Sequence, residues 1–110
     1  FPYTTLFRSV FDVFPFTKTM AVLESARSTD FSPLKNAPGT GADDPETSRR
    51  DLLAEQKRWI EEAGATIAEG VEVEVSPTVS YAGEGLETIK GLAFTRSGVV
   101  ESVEDFAKLA

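Results

Sequence analysis

The sequence predicts a mixed α/β fold in which two strands, a polar loop and one long helix precede a small β-rich end. Apolar residues recur with the period of a helix over residues 45–63, and valines alternate with glutamates over residues 71–75. Between them and the N-terminal strands lies a stretch rich in Pro, Gly, Asn and small residues, which is typical of an ordered loop. A chain of 110 residues suffices for one domain with a modest core.

Two strands are predicted at the N-terminal side, at Val10–Phe16 and Thr19–Ser25. The first is dominated by aromatic and β-branched residues, and the second has an apolar centre. Pro15 cannot donate to a ladder, so it marks an edge or the end of the first strand. Because a lone hairpin is marginal in water, we expect these strands to join a sheet that this chain does not supply.

The long helix has clear start and stop signals. Asp44 is a suitable N-cap, Pro45 a suitable first helical residue, and Gly64 a suitable C′ residue. Ser48, with Asp51 three residues later, forms a second and weaker start signal. The stripe of the predicted buried face, which only a glutamine interrupts, consists of Leu52, Leu53, Gln56, Trp59, Ile60 and Ala63.

The segment after the helix changes to the period of a strand. Val71–Val75 is predicted to be a half-buried strand, and Thr78–Tyr81 could resume it after Pro77. A turn with two glycines follows at residues 82–85. Further short elements are predicted at Leu86–Lys90, Ala93–Arg96 and Val99–Val103, followed by an amphipathic helical pattern over residues 103–109.

Composition excludes several classes of function. The chain has no Cys and no His, which removes disulfides, zinc sites of the usual kind and the commonest general base. A net charge of −7 argues against nucleic acid as a partner, and no segment is apolar and long enough to predict a membrane span. Asp43 and Asp44 are adjacent, and capping explains the second, so we predict no metal site. These features favour a cytoplasmic protein.

Lys35 is the first candidate for a binding residue. Its ammonium group has three donors and suits a phosphate oxygen, and it lies in a loop just before a helix. Composition alone favours a solvated surface lysine. Phe11 is the second candidate, although its position in a predicted strand by itself favours a place in the core.

Two segments carry a resemblance to a known family: FSPLKNAPGTG from residue 31, and VSPTVSYAGEGLE from residue 75. They resemble the C-terminal part of eukaryotic, fungal-like UDP-N-acetylglucosamine pyrophosphorylases, over roughly Val10 to Gly91. The resemblance implies the C-terminal piece of a nucleotidyltransferase fold that is GT-A-like and Rossmann-type. It places the end of the catalytic domain at residues 10–64 and a small β-rich subdomain at residues 65–110.

The resemblance also implies roles for the two candidates. In the family, the lysine matched by Lys35 contacts the sugar-nucleotide phosphates, and the aromatic residue matched by Phe11 packs against the N-acetyl group of the sugar. Ser9 stands where the family has a second aromatic residue. The family's nucleotide loop, of the form LxxGxGTRLGxxxPK, does not occur here, and Mg²⁺ is expected to bind residues upstream of this chain.

The parent enzyme implied by the resemblance converts UTP and N-acetylglucosamine 1-phosphate to UDP-N-acetylglucosamine and pyrophosphate. The expected mechanism is in-line attack by the sugar phosphate without a covalent intermediate, and the isolated chain is expected to be inactive. Residues 1–9 resemble the translation of a sequencing adapter, and we predict them to be an artefact. Two alternatives are a pyrophosphorylase for another UDP-sugar and a small acidic adaptor that docks through the helix around Trp59.

Overall fold

The computed structural model describes residues 9–110, and these confirm a mixed α/β fold with short parallel strands. The predicted artefact, residues 1–9, lies outside the described residues except for Ser9. The α-helices are α1 (Arg27–Asp30), α2 (Pro45–Glu62) and α3 (Phe106–Leu109). The strands are β1 (Thr66–Ile67), β2 (Val73–Val75), β3 (Ala93–Phe94) and β4 (Gly98–Val100). Turns of 3₁₀-helix occupy Val10–Phe16, Glu87–Ile89 and Val103–Asp105.

The strands form two parallel pairs that lie under helix α2. Strand β1 pairs with β3, and β2 pairs with β4 in the register Val73 to Gly98 and Val75 to Val100. Helix α2 packs against β1 and β2. Gly64 has a φ of +92°, which lets the chain leave the helix and turn directly into β1. The predicted cap, first residue and end of this helix are all confirmed.

One hydrophobic core lies between α2, the strands and the C-terminal helix. Its buried apolar members are Ile60, Ala65, Val73, Val75, Leu86, Ile89, Phe94, Val100 and Phe106. The rings of Phe94 and Phe106 lie with their centroids 5.7 Å apart, which joins α3 to the strands. No residue between 9 and 43 is buried, so the core belongs entirely to the part of the chain that follows Asp44.

Gln56 interrupts the apolar stripe for a structural reason. It is only 4% exposed, and its Nε2 donates to the Val75 carbonyl oxygen at 3.0 Å. Its Oε1 accepts the Val75 N–H at 2.8 Å. A buried amide is stable here because both of its ends are paired. The pair joins α2 to β2 and satisfies backbone groups of β2 that have no neighbouring strand on that side.

The prediction of strands at the N-terminal side is wrong for this structure. Val10–Phe16 is a 3₁₀-helix that is capped by Ser9, whose N–H in turn donates to the Asp12 carboxylate at 3.0 Å. Thr19–Ser25 has no regular secondary structure. A strand needs a neighbour for its backbone groups, and none is present among the described residues; the capped turn satisfies some of those groups locally.

The predictions for the second half are mostly confirmed, with shorter elements. The alternating segment forms a strand only at Val73–Val75, where the two valines are buried. The proposed continuation at Thr78–Tyr81 is wrong, because Val79 and Ser80 donate back to the Ser76 carbonyl in a turn. The C-terminal helical pattern is confirmed. Within residues 9–110, no helix combines the length and the apolar character that crossing a bilayer would need.

Candidate functional site

The segment 32–43, which we call the Lys35 loop, closes on itself through backbone hydrogen bonds. The N–H groups of Lys35 and Asn36 both donate to the Asp43 carbonyl oxygen, at 2.7 and 2.9 Å. The Asn36 side chain donates to the Ala42 carbonyl at 2.8 Å. Because the two ends meet at these bonds, the backbone of Lys35 is held in one place although the loop is exposed.

Left-handed backbone conformations make this closure possible. Gly39 and Gly41 both have a φ of +86°, and Asp43 has a φ of +51°. The two glycines adopt this conformation without a steric cost, whereas an aspartate adopts it less readily. The composition of the loop, which marked it in the sequence, therefore reflects a specific folded shape.

Asp44 fixes the end of the loop to the start of helix α2. One carboxylate oxygen accepts the Thr47 N–H at 2.8 Å and the other accepts the Gly41 N–H at 2.8 Å. These N–H groups hold the pKa of the Asp44 carboxyl below its ordinary value, and the residue is 2% exposed. Asp44 is thus an ionised structural cap whose oxygens are already used.

The side chain of Lys35 is exposed and is available to an anion. None of the ion pairs formed among residues 9–110 includes it. Its Nζ lies 5.9 Å from the centre of the Phe31 ring, and the guanidinium of Arg27 lies 4.6 Å from the same centre. Arg27 was not among the residues predicted from the sequence, although a cation four residues before an aromatic residue is a usable signal, because one helical turn brings the two together.

Phe11 lies in the 3₁₀-helix and not in a core strand. It is 66% exposed, and its ring packs edge-on against Phe14 with a centroid separation of 5.4 Å. The interpretation of Phe11 as a core residue is therefore wrong for this chain. The ring of Phe11 contacts Phe14, whereas the ammonium group of Lys35 lies near the ring of Phe31.

The turn at residues 80–85 is rigid and packs on helix α2. The Glu84 carboxylate accepts the N–H groups of Tyr81 and Ala82 at 2.7 and 2.6 Å, which lowers its pKa to about 2. At Gly83 a side chain would meet Trp59, since a Cβ would lie 2.9 Å from the Trp59 Cγ. This turn and the core pack against one side of Trp59. In the adaptor alternative, a partner protein would dock on the helix around Trp59, but the chain itself already contacts that side.

The described part of the chain does not form a magnesium site. Among residues 9–110 there is no group of three His, Cys, Asp or Glu side chains that could hold a metal ion. The adjacent aspartates at the loop end do not supply one, because Asp44 binds two N–H groups.

Comparison with curated proteins shows that most of this chain is similar in sequence to nucleotide-sugar pyrophosphorylases. The UDP-N-acetylglucosamine pyrophosphorylase of Saccharomyces cerevisiae is 52% identical over 91 residues, which are 83% of this chain and 19% of the yeast protein. A probable UDP-N-acetylglucosamine pyrophosphorylase of Dictyostelium discoideum is 48% identical over 81 residues, 71% of this chain and 17% of that protein.

The similarity extends to animal proteins. The mouse UDP-N-acetylhexosamine pyrophosphorylase-like protein 1 is 43% identical over 96 residues, covering 71% of this chain and 19% of that protein. No protein-family model matches the chain. The chain is nevertheless a homologue of the UDP-N-acetylglucosamine pyrophosphorylases over most of its length, and the resemblance predicted from the sequence is confirmed. It spans about a fifth of the length of these relatives.

Proposed function

We propose that this chain is a C-terminal segment of a UDP-N-acetylglucosamine pyrophosphorylase and that it supplies a phosphate-binding lysine to the active site. The parent enzyme would join UTP and N-acetylglucosamine 1-phosphate to give UDP-N-acetylglucosamine and pyrophosphate. The observation that carries the proposal is Lys35, which is exposed, free of ion pairs within residues 9–110 and fixed on a loop that ends at a buried cap. The 52% identity to the yeast enzyme supports it.

The proposed fold of the parent is that of a GT-A-like, Rossmann-type nucleotidyltransferase. Residues 10–64 would form the end of its catalytic domain, and residues 65–110 a small subdomain. The names of the relatives support the class of enzyme, and the division at residue 64 stays a prediction. A cytoplasmic location likewise stays a prediction that rests on composition.

Lys35 would act by electrostatics. Attack of the sugar phosphate on the α-phosphorus of UTP concentrates negative charge on the phosphate oxygens, and a fixed ammonium group lowers the barrier by meeting that charge. The Lys35 loop already holds its shape in this chain, so little reorganisation is needed when the phosphates arrive. Mg²⁺ would be held by residues outside this chain.

Phe11 would contribute to the choice of sugar. Its exposed ring offers an apolar face to the N-acetyl group, and its neighbour Phe14 supports the ring from the side. The relatives are named for N-acetylglucosamine or N-acetylhexosamine substrates, which supports an N-acetylated sugar. A pyrophosphorylase for another UDP-sugar would not need this contact.

The test is Lys35→Ala in the full-length parent. We expect turnover to fall by at least about tenfold, because one charge-assisted contact to phosphate is lost, worth about 1.5–3 kcal/mol. Lys57→Ala is the matched control, since Lys57 is an exposed lysine on helix α2 whose ion pair among residues 9–110 is with Glu61, 3.9 Å away. The melting temperatures of both variants should equal that of the parent. Unchanged kinetics for Lys35→Ala would remove Lys35 from the site.

A further inference from the structure

Helix α2 holds the beginning of the Lys35 loop through two side chains. The Ser32 hydroxyl donates to Asp51 Oδ2 at 2.8 Å. The Ser48 hydroxyl donates to the carbonyl oxygen of the same Ser32 at 3.2 Å. Ser32 is thus fixed through both its side chain and its backbone, three residues before Lys35.

The same helix holds the far end of the loop. The Asp44 carboxylate binds the Gly41 N–H, and the Asp43 carbonyl beside it accepts the Lys35 N–H. Between Ser32 and Lys35 the chain contains Pro33, whose ring restricts the backbone. Lys35 therefore sits between two attachment points on one rigid helix, and a shift at either point would move its ammonium group.

The Asp51 carboxylate accepts hydrogen bonds from both Ser32 and Arg50. Its Oδ1 accepts from the Arg50 guanidinium at 3.0 Å while Oδ2 accepts from Ser32. The hydrogen bond from Ser32, and then Arg50, lower the pKa of the Asp51 carboxyl. Arg50 offsets the negative charge of Asp51, which would otherwise oppose a phosphate bound near the loop.

We propose that Asp51 is a positioning residue that sets the place of Lys35 through Ser32. The inference rests on the proposed function, because it assigns Asp51 a role in the same site. The sequence suggested that Ser48 and Asp51 form a second start signal for the helix. In the structure Asp44 and Thr47 cap the helix, which leaves Ser48 and Asp51 to bind the loop.

The kinetic test is a set of single and double variants in the full-length parent. We expect Asp51→Ala and Ser32→Ala each to lower kcat/KM by about three- to tenfold, because the cation is displaced rather than removed. Asp51→Asn keeps an acceptor for Ser32 and should restore most of the rate. In a Lys35→Ala background, Asp51→Ala should cause no further loss, since the residue acts through a lysine that is absent.

Glu61→Ala is the matched control, because Glu61 is an exposed carboxylate of the same helix whose ion pair among residues 9–110 is with Lys57. It should leave kcat/KM unchanged. The inference is overturned if Asp51→Ala has the parental rate, or if it slows the Lys35→Ala enzyme by the same factor as the parent. If Lys35→Ala itself has the parental rate, the proposed function of the loop fails and the inference fails with it.

A second measurement tests the positioning without any activity. In the 110-residue chain, Asp51→Ala should accelerate hydrogen exchange of the Lys35 and Asn36 amides, which donate to Asp43, by about threefold or more. Glu61→Ala should not. Equal exchange in the two variants would show that Asp51 does not hold the loop, even if Lys35 proves essential for turnover.

Discussion

Two regions of the chain differ in how far their apolar side chains are buried. We call residues 9–26 the arm and residues 44–110 the body. The arm exposes between 45% and 94% of each of its large hydrophobic residues: Val10, Phe11, Val13, Phe14, Phe16, Met20, Val22 and Leu23. The body buries nine apolar residues in one core. The comparison indicates that apolar residues form a core where the backbone also has hydrogen-bonding partners in neighbouring strands.

The strands of the body pair with one another, whereas no strand pairs with the arm among residues 9–110. In the body, β2 pairs with β4 and helix α2 covers the apolar face, so backbone and side chains are satisfied together. In the arm, the 3₁₀-helix at Val10–Phe16 has its start satisfied by a capping box between Ser9 and Asp12. The chain spans about a fifth of the length of the yeast relative.

A matched pair of leucines tests this comparison with the largest expected effect. Leu86 is 2% exposed in the body, and Leu23 is 94% exposed in the arm. Leu86→Ala should lower the free energy of unfolding by about 2–5 kcal/mol, because it leaves a cavity in the core. Leu23→Ala should change it by less than about 0.5 kcal/mol. Urea unfolding of the 110-residue chain measures both.

Equal losses for the two leucine variants would contradict the division. They would mean that the arm buries Leu23 in solution, against a partner surface or against a second copy of the chain. Repeating the measurement at several protein concentrations separates these cases, because only self-association makes the loss depend on concentration.

Local sequence signals predicted the parts of the body that depend on neighbours in the chain. Asp44, Pro45 and Gly64 fixed helix α2, since caps and breakers act within one turn. The shape of the Lys35 loop follows in the same way from its glycines. The role of Asp51 could not be predicted, because its hydrogen bond to Ser32 joins residues 19 apart in the sequence.

In the arm, the secondary structure predicted from the sequence is wrong. The arm's β-branched and aromatic residues predicted two strands, but propensity describes a fit to a sheet that a neighbour must provide. Ser9 and Asp12 instead form a capping box, a local signal that the strand interpretation of Val10–Phe16 did not weigh. Gln56 breaks the apolar stripe in the sequence, and sequence spacing alone does not reveal that Val75 lies opposite it.

Gln56→Ala tests the hydrogen bonds that join helix α2 to β2 in the body, and it should lower the free energy of unfolding somewhat less than Leu86→Ala does. The substitution leaves the N–H and the carbonyl of Val75 buried and unpaired, and each unmade bond costs about 1–3 kcal/mol. We expect a total loss of about 2–4 kcal/mol in urea unfolding. Glu62→Ala, an exposed change on the same helix, is the control and should be nearly neutral. A loss under about 0.5 kcal/mol for Gln56→Ala would mean that water replaces the amide.

The dependence of stability on pH gives the smallest and most specific test. The Glu84 carboxyl has an ordinary pKa of 4.5, which the N–H groups of Tyr81 and Ala82 lower to about 2 in the folded body. A lowered pKa stabilises the fold fully above pH 4.5, and this contribution is lost as the pH falls towards 2. Glu84→Gln should therefore flatten the fall in melting temperature over that range. Glu24→Gln removes a carboxylate of the exposed arm and should leave the curve unchanged. Parallel curves for Glu84→Gln and the original chain would show that the turn does not hold the carboxylate in solution.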